Sequence, residues 1–138
     1  MKSFPLGRGE WLVRLDEGEE AVAALMLFAR AKKIRGAVFH GQGSLKNPAL
    51  AYYDLKKKRY LERQFRGLYE VAGFTGNIAT MKGAPVLHIH LVLGDKTLRA
   101  HAGHLVRGEA GGTLEVVLRT TRPLRRARDW QTGLNVIV

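Results

Sequence analysis

The sequence predicts an α/β (α+β mixed) domain, with a mixed, largely antiparallel sheet and one long flanking helix. Three observations carry this. The chain has 138 residues and no cysteine, so residues 1–138 form one domain whose core must come from apolar burial and not from disulfide staples. One stretch near the N-terminus has helical periodicity and lies between two strand-like segments. From residue 50 to 120, short runs with strand character follow one another, separated by turn residues.

The elements follow in order. "GEWLVRL" (9–15) alternates Trp11, Val13 and Leu15 against polar or smaller neighbours, the period of a half-buried strand. Asp16 stands where an N-cap belongs, with Glu17, Glu19 and Glu20 in or near the first turn. Val22, Leu25, Met26 and Ala29 recur at helical spacing over 18–33, Arg30, Lys32 and Lys33 suit a helix C-terminus, and Gly36 marks a stop. "AVFHGQGSL" is the next strand, and this strand–helix–strand unit places both strands in one sheet. Strands are then expected over 50–55, 59–65, 68–79, 85–94 and 112–120, with turns at "KKKR" (56–59) and "GDKT" (94–97). No repeat, linker or low-complexity segment interrupts the chain.

The strand "PVLHIHLVL" (85–93) carries the chemistry. Leu87, Ile89, Leu91 and Leu93 form its core face, and Val86, His88, His90 and Val92 form the other. Residues two apart on a strand have Cα atoms roughly 6.5 Å apart and point the same way, so two imidazoles can converge on one ion at roughly 2.0–2.1 Å. After the turn, "AGH" brings back His104, with Gly103 allowing close backbone approach. Three histidines with a fourth position open describe a divalent metal site, and with no thiolate available zinc is the first expectation. The alternative is a pair of hydrogen-bonded strand histidines without metal. His101 is a weaker ligand candidate, and His40 reads as a satisfied structural histidine.

Lys and Arg total 23 against 12 Asp and Glu, a net charge of +11. Such a balance favours anionic partners, DNA first. Lys56, Lys57 and Lys58, and Arg122, Arg125, Arg126 and Arg128 in the C-terminal stretch, are the candidate phosphate contacts. The longest apolar run, residues 21–29, falls short of the roughly 18 residues needed for a membrane span, and no secretory signal is visible. A soluble, cytoplasmic protein without membrane association is expected.

Taken together, "GQGSLKNPALAYYD" (41–54), "YEVAGFTGNIA" (69–79), "PVLHIHLVLGDKTLRAHAGHLVRG" (85–108) and "TLEVVL" (113–118) resemble the plants-and-prokaryotes-conserved (PPC) domain. The resemblance covers about 7–120 and leaves 121–138 as a basic extension. It implies a homotrimer, and metal positions at His88, His90 and His104. Where the family usually has Gly-Gly-His, this chain has Ala102–Gly103–His104. Plant relatives join this domain to AT-hooks of core Arg-Gly-Arg-Pro, a tetrapeptide absent here, so their minor-groove mode does not carry over.

Two further signals are weaker. "GQGSLK" lacks the third glycine of a dinucleotide loop, and a strand is expected after it instead of a helix, so it reads as a tight turn near a subunit contact. Glu70 and Glu115 are strand carboxylates able to act as a general base or a further ligand if they approach the metal, and otherwise as arginine partners. No catalytic residue can be singled out. The sequence thus supports a DNA-associated regulatory protein with a three-histidine site, a metal-dependent enzyme on a small substrate, or an assembly module, in that order.

Overall fold

The computed structural model describes all 138 residues as one α/β domain with a seven-stranded sheet and one helix. The sheet is built from β1 (Lys2–Gly7), β2 (Glu10–Asp16), β3 (Ala37–Asp54), β4 (Arg59–Gln64), β5 (Leu68–Met81), β6 (Ala84–Gly94) and β7 (Ala100–Thr120), with α1 (Ala21–Ala31) after β2. Two short strands, β8 (Arg126–Arg128) and β9 (Asn135–Ile137), pair separately. The sheet order is β1-β2-β7-β6-β5-β3-β4, and β7 also pairs with β3. Strands β3, β5, β6 and β7 therefore close on themselves, which removes their edges. Every ladder is antiparallel, and the one parallel contact is an isolated bridge between Thr80 and Arg125.

The strand–helix–strand unit puts β2 and β3 on opposite edges of β7, each antiparallel to it. The helix is shorter than 18–33 and starts later. Asp16 is occupied by Arg14 and by the N-terminal amine. Gly18 takes a φ of +82° and donates its amide to Ala110, so residues 17–19 dock on β7 before any helical turn begins. Glu20 is the N-cap, accepting from the Ala23 amide at 2.7 Å. The helix ends with Lys33 in the left-handed region, three residues before Gly36. Its buried face is Ala21, Ala24, Leu25, Phe28 and Ala29, with Val22 and Met26 at its margins.

The two strands expected on either side of Pro48 are one continuous β3. Asn47 turns to a positive φ, its side-chain oxygen receives the Gly67 amide, and bulges absorb the irregularity. "GQGSLK" is accordingly mid-strand and not a turn. A Cβ on Gly43 would stand 2.2 Å from the Thr113 carbonyl, so the glycine is there for close approach of β3 to β7. The expected strand over 112–120 is the end of the much longer β7, and β1 and the β8–β9 hairpin had no counterpart among the expected elements.

The core is one cluster joining the closed strands, β2 and the helix, with Phe74, Ile78, Ile89, Leu93, Leu114 and Leu118 among its least accessible side chains. Ile89, Leu91 and Leu93 face this core as their alternation requires, so His88 and His90 must face the other way.

Candidate metal centre

His88 and His90 sit on β6, and His104 is the register partner of His90 across the β6–β7 ladder. One ring nitrogen from each of the three lies within 4.8 Å of the others. The Nε2 atoms of His88 and His90 are 3.2 Å apart, and the ring centroids of His104 lie 5.2 and 5.4 Å from those of His88 and His90. Gly103, beside His104, lies close to β3: a Cβ there would stand 3.2 Å from the Ala51 carbonyl oxygen. The backbone comes close at this glycine without a left-handed φ.

Burial keeps two of the rings, His88 and His104, neutral. Burial, followed by the charge of Arg126 and the neighbouring imidazoles, lowers the pKa of His88 from 6.5 to about 4. His104 is lowered too, again chiefly by burial and then by His90 and Arg126. Neutral imidazole is the form that binds a metal. The Nδ1 of His104 is shielded from solvent and lacks any hydrogen-bond partner. Three converging nitrogens, two rings held neutral and an orphaned nitrogen together fit a divalent ion, and the cluster is capable of coordinating one.

Arg126, from the C-terminal hairpin, completes the surroundings. Its Nη2 donates to Asn77 Oδ1 at 2.9 Å and to His88 Nδ1 at 3.2 Å, and its Nη1 donates to the Asn135 carbonyl. A guanidinium only donates, so in this contact Nδ1 of His88 accepts and the neutral ring's proton sits on Nε2; to give Nε2 to an ion the ring must shift its proton to Nδ1 and release Arg126. Asn77 faces His88 across the β5–β6 ladder, and Tyr60 of β4 stacks on His104 at 5.1 Å. The three histidines form part of a cavity of about 1020 Å³, bounded by tyrosines of β3 and β4 on one side and by the β8–β9 hairpin on the other.

The other sequence candidates fall elsewhere. Lys56, Lys57 and Lys58 occupy the exposed β3–β4 turn, where Lys58 donates to the Trp130 carbonyl. Arg122, Arg125 and Arg128 are exposed, whereas Arg126, grouped with them as a phosphate contact, is drawn in against His88. Glu70 is exposed, Glu115 lies opposite Arg14 and Gln42, and neither borders the cavity. His101 pairs with Asp95 at 3.2 Å, away from the cluster. His40 is exposed and makes no side-chain hydrogen bond, contrary to the expectation of a satisfied structural residue. Asn77, Tyr60 and the role of Arg126 were missed. Thr75 and Asn77, two polar residues alternating with Phe74, Gly76 and Ile78, were the available signal for the first; Arg126, 38 residues from His88, offered none.

The sequence profile of the Plants and Prokaryotes Conserved (PCC) domain matches residues 6–122. Among solved structures, a plant- and prokaryote-conserved (PPC) protein of Pyrococcus horikoshii is 31% identical, covering 94% of this chain and 90% of its own, with a TM-score of 0.88. A protein of Bacteroides thetaiotaomicron, provisionally described as DNA-binding, is 28% identical, with coverage of 99% and 96% and a TM-score of 0.94. A metal-containing protein of Archaeoglobus fulgidus is 30% identical, with coverage of 94% and 92% and a TM-score of 0.87. A search of curated proteins gave no match.

Proposed function

This chain belongs to the Plants and Prokaryotes Conserved domain family, and from that premise we propose that it is a metal-dependent protein that binds a small molecule over His88, His90 and His104. The observation that carries the reading is the convergence of three histidine nitrogens within 4.8 Å beside a cavity. The metal-containing relative from Archaeoglobus supports it. His88, His90 and His104 would hold the ion, with zinc the first choice for three imidazoles. A divalent ion held there supplies a Lewis acid with a coordination position open to a ligand. Asn77 accepts from Arg126 and faces His88 across the ladder, placed to take up a proton-bearing Nδ1 of His88 once Arg126 moves aside, and Tyr60 stacks on His104.

The test is metal content per chain by plasma mass spectrometry on untagged protein, before and after incubation with zinc. A His88→Ala/His90→Ala variant is measured alongside. About one ion per chain, lost in a variant that keeps its fold, is the expected result. No metal in either protein, even after zinc, would refute the reading and leave the histidines as structural residues.

A second reading, association with DNA, is favoured by the net charge of +11 and by relatives described as DNA-binding. Lys56, Lys57, Arg122, Arg125 and Arg128 are exposed and would make the phosphate contacts. Anisotropy of a labelled duplex tests it: affinity must fall steeply as salt is raised, because phosphate contacts release counterions. A homotrimer belongs to the same proposal, with exposed Phe4 and Leu6 on β1 as apolar surface for subunit contact. Light scattering at three times the chain mass is the expected result.

A further inference from the structure

We propose that the cavity beside the histidines takes a small organic carboxylate, its charged end held by Arg126 and its apolar body lying against the C-terminal hairpin. The inference deepens the small-molecule reading above and rests on it for the ligand's place next to the ion.

The only formal charges at the cavity are the positive ones of Arg126 and Arg128. The cavity is bordered by these two, by three histidines, and by no aspartate or glutamate. None of the ion pairs in the molecule includes either arginine. For Arg128, exposed to water, this needs no explanation. Arg126 is different, because it is partly withdrawn from solvent and its Nε is buried with no partner. Its recorded acceptors are the Asn135 carbonyl, Asn77 Oδ1 and His88 Nδ1, none of them an anion. Guanidinium charges taken out of water are ordinarily paired, since an unpaired one loses hydration with no Coulombic return. Here the fold supplies neutral acceptors that hold the group in place and leaves its charge uncompensated toward the cavity. An anion arriving from solvent completes the arrangement.

The remaining walls define the rest of the ligand. Val86 of β6, Met81 at the end of β5, and Leu134, Val136 and Ile137 of the hairpin present apolar surface to the same space. A volume of about 1020 Å³ lies just above the usual range for small-ligand sites, roughly 300–1,000 Å³. Mostly apolar walls with a few convergent polar groups suit a carboxylate with a hydrocarbon body better than bare phosphate, which would gain nothing from Leu134 or Val136. Tyr60, stacked on His104, adds a hydroxyl at the same end of the cavity.

Titration calorimetry with benzoate, against its uncharged isostere benzamide and against acetate and inorganic phosphate, tests the proposal on zinc-loaded and metal-free protein. Benzoate is expected to bind one per chain, at least roughly tenfold more tightly than the other three probes. Arg126→Gln should weaken benzoate by roughly ten- to a hundredfold in metal-free protein, the range for losing a charge-assisted hydrogen bond, with far-ultraviolet dichroism unchanged. Should that variant fail to fold, Val136→Asp, which sets a carboxylate on the apolar wall, must weaken benzoate and spare benzamide. Equal affinity for benzoate and benzamide, equal affinity for phosphate, no binding at millimolar concentration, or unchanged binding by Arg126→Gln would each overturn it. The two readings separate cleanly. Stoichiometric zinc without benzoate binding sinks the carboxylate and keeps the metal, whereas benzoate held through Arg126 in a protein that never takes up zinc does the reverse.

Discussion

Replacing Gly76 with alanine should damage the histidine cluster from behind. Gly76 lies on β5, and a Cβ built there stands 2.3 Å from the His88 carbonyl oxygen and 2.5 Å from the Phe39 ring. Real Cβ atoms keep at least 3.0 Å, so the carbonyl must retreat by 0.7 Å (3.0 minus 2.3). Phe39 is 5% exposed and packed in the core, which leaves the ring little room to yield. Overpacking of this kind costs about 1–3 kcal/mol. The same displacement falls on the backbone that carries the His88 imidazole. Metal–ligand distances tolerate only about 0.2 Å, so zinc affinity should fall by an amount like that of losing an outer-shell support, roughly ten- to a hundredfold. Urea unfolding of the metal-free protein reads the first effect, and competition against a zinc chelator reads the second. Gly73→Ala, on the same strand with nothing within 4 Å of its Cβ, is the control and should change neither by much. A Gly76→Ala protein as stable as its parent would refute the packing argument. One that is destabilised but binds zinc normally would show that β5 does not set the position of His88.

Two other outcomes follow from the same geometry. In metal-free protein, the His88 imidazole should titrate near pH 4 by NMR. Because the unfolded chain takes up that proton around 6.5, stability should be full above pH 6.5 and decline as the pH falls toward 4; a midpoint at the ordinary value, with no such decline, would contradict the burial described. Tyr53→Phe removes the hydroxyl that donates to the Thr132 carbonyl at 2.8 Å, and should cost about 1 kcal/mol in a urea melt while speeding proteolysis at residues 129–134.

The histidine strand was legible because period-two alternation fixes which residues share a face once the aliphatic ones are assigned to the core. His104 was legible for a related reason: a short turn returns the chain beside its own strand, so nearby residues meet. Arg126 illustrates the limit. Its surroundings, "RPLRRAR", read as an arginine-rich extension suited to phosphate contact, and only the pairing of β8 with β9 and the Asn77 carboxamide draw that one arginine inward. The start of the helix misled for a comparable reason. Asp16 has the chemistry of an N-cap, but the Arg14 guanidinium and the N-terminal amine take its oxygens, leaving the role to Glu20. The two strands expected on either side of Pro48 are one because the Pro48 carbonyl accepts from the Phe65 amide and the bulged β3 runs through it.

The closed ring of strands also favours an order of assembly. His88 and His104 are separated by 16 residues of one hairpin, whereas the β3–β7 seam joins Gly43 to Leu114, 71 residues apart. Loop-closure entropy grows with the logarithm of length, and the longer closure costs about 1.3 kcal/mol more before any contact repays it. The β6–β7 hairpin can therefore gather its three imidazoles while β3 is still free, and an ion captured at that stage would pin the register of the two strands. Non-local seams of this kind are the slow step in β-rich chains. In this protein an early-bound metal would act as a folding nucleus, and refolding would run faster with zinc present from the start than with zinc added afterwards.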